Sequence, residues 1–165
     1  MTVRAAPPSA SGFTLIELMV VVAVVAILAT LALPSIQGKL VRDQIVEAMK
    51  LAEIAKAPIA VAWAASQALP ANNAAAGLPP AERIAGNLVG SVRVEDGAIQ
   101  VTFGNRASSV IRGKTLSLRA AVVEDSPVVP VAWVCGNAPV PVPMTVHGVN
   151  RTDIANGMLP LNCRP

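Results

Sequence analysis

The stretch GFTLIELMVVVAVVAILATLALP, from Gly12 to Pro34, restricts what this chain can become more than any other. After Glu17 no ionisable side chain appears until Lys39. That run outlasts a secretory h-region of about 7–15 residues. Counted from Phe13 to Leu33, it reaches the roughly 20 residues needed to cross a hydrocarbon core. A core helix in a 165-residue protein rarely needs so continuous a run, so a single membrane span is the better reading. The charge bias is divided: Arg4 favours a cytoplasmic amino terminus, whereas Lys39 and Arg42 after the span pull the other way. Glu17 is the anomaly, because an ionised carboxylate in lipid costs a few kcal/mol. It either snorkels toward headgroups or has a partner. A cut after Gly12 supplies one, an α-amino group at Phe13, four residues away on the same helical face. In a bundle of such helices, Glu17 of one copy then meets the Phe13 amine of another.

The helical pattern continues past Pro34. Val41, Ile45, Ala48, Met49, Ala52, Ala55, Ile59 and Trp63 recur at three- and four-residue spacing and make one apolar stripe. Lys39, Asp43, Glu47, Lys50, Glu53 and Lys56 lie largely off it. Pro34 and Pro58 each remove a helical N–H, so a bend or local unwinding is expected near both. The expected organisation is a leader over 1–12, an apolar helix over 13–34, an amphipathic helix over 35–68, a connecting loop over 69–87, an antiparallel sheet over 88–135 and a proline-rich tail over 136–165. The sheet rests on alternation in LVGSVRVEDGAIQVTFGN around an Asp96-Gly97 turn, with further strands at Thr115–Glu124 and Val128–Cys135. Pro130 marks the last of these as an edge strand or a late starter. One apolar sheet face needs cover, and the amphipathic half of the long helix is the candidate, which makes the class α+β.

Catalytic constellations are absent from the pattern, and an enzyme is not expected. His147 is the chain's one histidine and cannot complete a zinc set with Cys135 and Cys163. It reads as a solvated loop residue. No glycine-rich phosphate cradle follows a strand, and no metal or cofactor is implied. Glu95-Asp96 and Glu124-Asp125 look like turn acids. Asn150-Arg151-Thr152 fits a glycosylation sequon, a triplet common by chance. If the chain is exported, its two cysteines favour a disulfide over two unrelated buried thiols. The net charge of +3 and the two Phe, two Trp and no Tyr do not describe a nucleic-acid surface, so DNA is a possible partner that charge does not support.

GFTLIELMVVVAVVAILATLALP resembles the class III signal and first helix of type IV pilins. The tail around Trp133-Val134-Cys135 and Leu159-Pro160-Leu161-Asn162-Cys163-Arg164 is similar to the closing segment of type IVa major pilins. The resemblance implies cleavage between Gly12 and Phe13 by a prepilin peptidase, N-methylation of Phe13, and Glu17 as the assembly residue. It further implies Pro34 as a helix bend and a Cys135–Cys163 disulfide closing the C-terminal region around a four-stranded sheet. The implied function is the structural subunit of a helical filament of identical copies, used for adhesion, twitching motility or DNA uptake. The implied partners are the peptidase and the inner-membrane assembly machinery. The precursor would sit in the inner membrane and the mature subunit in an extracellular pilus. Two alternatives stand beside it: a minor pilin or a type II secretion pseudopilin, and an ordinary single-span protein with a small exported binding domain. Ala26 stands where many family members carry glycine, and Ile36 and Lys39 occupy positions that are often aromatic, which disfavours an electron-conducting fibre.

Overall fold

The computed structural model describes residues 12–165, the side chains of 32–35 apart, so most of the expected leader lies outside the described residues. Two units divide at Gln37 and Gly38. Helix α1 is assigned from Leu15 to Ser66 and runs through both. The bend expected at Pro34 falls within 32–35, outside the described side chains.

In the second unit the stripe reads as expected. Val41, Ile45, Ala48, Ala52, Ala55, Ile59 and Trp63 are buried, and Met49 packs partly buried beside them. Alanines at three of these positions let the helix lie close to what it covers. Lys56 pairs with Glu53 at 2.6 Å, an i,i+3 contact of a few tenths of a kcal/mol. Its ammonium also stands 5.7 Å from the centre of the Trp133 ring. Pro58 does not interrupt the assigned helix. The helix stops at Ser66, two residues before the expected Ala68, because Gln67 turns left-handed at φ 52° while its N–H still bonds the Trp63 carbonyl.

Four antiparallel strands follow in the order β1 (Val89–Glu95), β2 (Ala98–Phe103), β3 (Thr115–Val122) and β4 (Ala132–Cys135). Asp96 and Gly97 both take positive φ, 47° and 79°, as a type I′ hairpin turn requires. The register sets Val94, Ile99, Leu118 and Cys135 in one row, with Val92, Val101 and Leu116 in another. These residues form the face that joins the helix stripe in the core. β4 begins at Ala132, four residues later than the expected Val128, and Pro130 lies in the part left out of the ladder.

The tail departs most from expectation. Thr145–Val146 forms a short β5 paired with Ala121 and Val122 of β3, where an irregular chain was expected. Ile154 and Leu159 are fully part of the core. Cys135 and Cys163 are disulfide-bonded, their Cα atoms 4.6 Å apart, and both are buried. The connecting loop also has work to do. Asn73 is buried beside the outer edge of β1, its amide donating to the Val92 and Pro79 carbonyls and its Oδ1 accepting from Val94 N–H at 2.6 Å. It thus stands in for a missing neighbouring strand.

Candidate functional site

The amino-terminal segment is built by a helix start inside an apolar sequence. Thr14 is the cap: its carbonyl accepts the first helical bond from Leu18 N–H at 3.2 Å, and its hydroxyl accepts from Glu17 N–H at 3.3 Å. Glu17 therefore occupies the third helical position of a Thr-x-x-Glu capping sequence, where a carboxylate also faces the positive end of the helix dipole. Sequence reasoning did not pick out Thr14, although the Thr-to-Glu spacing was there to read. Phe13 precedes the cap and is 82% exposed. The assigned helix begins at Leu15, so in the uncleaved chain Phe13 precedes its first turn.

From Leu15 to Leu31 every side chain is exposed. Among the described residues Glu17 has no ion-pair partner. The one other polar side chain between Glu17 and Leu31 is Thr30, whose hydroxyl returns to the Ile27 carbonyl at 2.7 Å and so presents no unsatisfied donor. The result is an unpartnered apolar rod, with backbone polarity satisfied internally and one acid near its start. Such a surface is equally at home in lipid or against like helices.

The sheet's other face is closed by the tail. Gln100 and Ser117 are buried there and hydrogen-bonded to each other at 2.6 Å. Gln100 donates to the Val149 carbonyl, and the Ser117 hydroxyl accepts from Arg151 N–H at 2.7 Å. Thr152 Oγ1 accepts from Ser117 N–H, while Asp153 exchanges bonds with Thr115 N–H and carbonyl along the part of β3 that short β4 leaves open. The Asn150 amide donates to the Gly136 carbonyl and the Asn137 side chain. Every member of the Asn150-Arg151-Thr152 triplet is thus engaged in fastening the tail.

Arg151 grips Glu95 through both carboxylate oxygens, at 2.6 and 2.7 Å. That hydrogen bonding holds the Glu95 carboxyl below its ordinary range and raises Arg151 further. Glu95 was expected as a turn acid; it is the anchor of the tail. His147 is also more than a solvated loop residue. Its Nε2 lies 3.0 Å from Glu124 Oε1, and its ring sits 6.3 Å from that of Trp63. Among the described residues no nucleophile is hydrogen-bonded to this pair, and no three His, Cys, Asp or Glu side chains cluster as a metal set.

Comparison with known proteins bears on both regions. The pilin family of bacterial filament proteins matches residues 41–164, and the prokaryotic N-terminal methylation motif matches residues 8–33. A fimbrial protein of Neisseria meningitidis serogroup A is 37% identical over 165 aligned positions, covering 93% of each chain. A type IV major pilin protein of Neisseria gonorrhoeae is 38% identical, covering 93% of this chain and 86% of its own. A fimbrial protein of Eikenella corrodens is 37% identical over 76% of this chain and 82% of its own.

Proposed function

This chain belongs to the pilin family and is a structural subunit of a type IV pilus, and from that premise we propose how its first residues serve assembly. The precursor sits in the inner membrane as a single span through the apolar half of α1. A prepilin peptidase hydrolyses the Gly12–Phe13 amide, leaving Phe13 with a free amine that is then N-methylated and stays cationic. Inner-membrane pilus machinery draws the subunit into a helical homo-filament that ends outside the cell. The division of labour follows the sequence: 13–34 forms the fibre core and the later segments present the surface. The chain performs no catalytic turnover.

The observation that carries this reading is the exposed apolar rod with one unpaired acid at its start. In lipid, Glu17 lies near the headgroups; in a fibre core it is buried and must be neutralised. The Phe13 amine of a neighbouring copy is the charge available at that depth. Because cleavage creates the amine, only processed subunits carry both halves of the lock. Removing one partner of a buried ion pair costs about 3–5 kcal/mol, repeated at every subunit. Glu17→Ala or Glu17→Val therefore blocks filament formation while the precursor remains membrane-inserted. Normal fibre yield from cells expressing either variant overturns the pairing. Intact-mass spectrometry of the sheared surface fraction tests the rest: a chain beginning at methylated Phe13 and dominating the fraction is expected. A trace component there points instead to a minor pilin or pseudopilin role, and an intact Met1 to an unprocessed anchor.

A further inference from the structure

Two guanidinium groups converge on one carbonyl oxygen at the end of the second unit where α1 enters it. Arg42 Nη1 donates to Gly157 O at 3.1 Å, and Arg164 Nη2 donates to the same oxygen at 3.2 Å. Arg164 is further fixed by Nε bonding to Leu159 O at 2.8 Å. Surface arginines are ordinary, but two like charges held on one acceptor repel each other unless an anion is shared between them. Neither has a carboxylate within salt-bridge distance among the described residues, and positions 1–11 and 32–35 contain no Asp or Glu.

The surroundings add further cations, with Asp43 as the adjacent acid. Lys39 is exposed on the preceding turn. On the other flank of α1, Gln44 accepts from Ser108 N–H at 2.9 Å and so holds the loop that carries exposed Arg106 and Arg112 near the same level. The opposite end of the unit, around Trp63, has Asp96 beside it and Glu124 and Asp125 beyond His147. Asp43 and Glu47 are exposed on the same stretch of helix, but the cations Lys39, Arg42, Arg106, Arg112 and Arg164 outnumber the acids near this end of the unit, while acids gather at the far end. Arg42 follows the last residue of the apolar run, Leu33, by only nine positions in sequence.

We propose that Arg42 and Arg164 form a binding site for the phosphate of an anionic membrane lipid. The site is occupied while the subunit waits in the bilayer, an inference that rests on the single-span reading of the precursor. The guanidinium fork matches phosphate oxygens in pairs, and Arg42 Nη2 and Arg164 Nη1 have no protein acceptor among the described contacts. The Gly157 carbonyl pre-positions both groups, which lowers the ordering cost of capture. Occupancy orients the folded unit against the headgroups, and extraction into a fibre must strip the lipid away.

The test uses the full chain in phosphatidylcholine bicelles, read by NMR at the amides of Gly157, Leu159 and Arg164. Adding phosphatidylglycerol is expected to move these resonances to saturation and leave Trp63 and Glu124 unmoved. In the R42Q/R164Q double variant the apparent affinity falls about twenty-five-fold, at about fivefold for each cation near an anionic surface. Inorganic phosphate at matching concentration is expected to do little. Equal shifts with phosphate alone assign the site to a free anion and overturn the lipid. Shifts that follow protein concentration overturn it in favour of a second copy, and no shift, or one shared by all surface amides, overturns it outright. Translational diffusion of the chain with the bicelle reports membrane insertion separately, so failure of that reading is seen independently.

Discussion

Alanine at Asn73 removes a side chain that acts as a strand. The native amide satisfies the Val92 carbonyl at 3.0 Å and, through Oδ1, the Val94 N–H at 2.6 Å, and both bonds are buried. A third bond, to Pro79 O, ties the loop to itself. Two buried backbone groups left without partners cost about 1–3 kcal/mol each. Asn73 lies at an edge where water can partly enter the gap, so the expected loss is about 2–4 kcal/mol rather than the full sum. With a urea m-value of about 2 kcal/mol/M for a unit of this size, that shift moves the midpoint by about 1–2 M. Urea unfolding of the full chain in detergent, followed by the fluorescence of Trp63 and Trp133, measures it. Hydrogen exchange supplies the local readout: the Val94 amide loses protection while Leu118, in the middle of the sheet, keeps protection in step with global stability. A midpoint within experimental error of the native chain, or an unchanged Val94 amide, refutes the assignment of Asn73 as the guard of the β1 edge.

Replacing both Cys135 and Cys163 with serine opens a loop of sequence separation 28, and about 3–4 kcal/mol of stability should go with it on the chain-entropy estimate; an unchanged denaturation midpoint contradicts this. Gly148 holds φ at 78°, and a Cβ there would lie 2.5 Å from Ala98 Cβ and 2.9 Å from Ala98 N. Gly148→Ala should therefore destabilise by at least about 1–3 kcal/mol, as overpacking does, and wild-type thermal stability in that variant refutes the close approach. The Glu95 carboxyl is held below 4.5 chiefly by its hydrogen bonds to Arg151, so its contribution is present above that pH and is lost as pH falls through the lowered value. Stability curves of the native chain and Glu95→Gln should be separated at neutral pH and converge in acid; curves that stay parallel rule out the ion pair as the source.

The parts of the fold with a period were legible from the residues. The stripe from Val41 to Trp63 repeats at helical spacing because one side of α1 is buried, and the hairpin around Asp96-Gly97 alternates because one sheet face is. Glu17 stood out for a different reason: one acid in an apolar run is rare, and rarity is visible without coordinates, while Gly12 and Phe13 were picked out by the resemblance to the class III signal. The tail was illegible because its bonds are long-range and aperiodic. Arg151 and Glu95 are 56 residues apart, Gln100 and Val149 are 49 apart, and no local pattern announces either. Asn73 was hidden for the same reason, since an asparagine in a loop looks like turn chemistry until a strand edge is found beside it. Thr14 was readable from its spacing to Glu17, which is that of a capping box.

The contact between Arg42 and Gly157 joins positions 115 residues apart, near the two extremes of the folded unit. A chain emerging in order exposes the Val41-to-Trp63 stripe on the order of ten seconds before the segment carrying Ile154 and Leu159 is made. Once Cys135 is made the helix has a sheet to lean on, but no clasp until the tail follows. A product stopped short of Leu159 lacks the buried leucine and the second half-cystine together, so neither that core contact nor the disulfide can form. In an assembly where each copy supports the next, the segment carrying Leu159 and Cys163 fastens what was made before it.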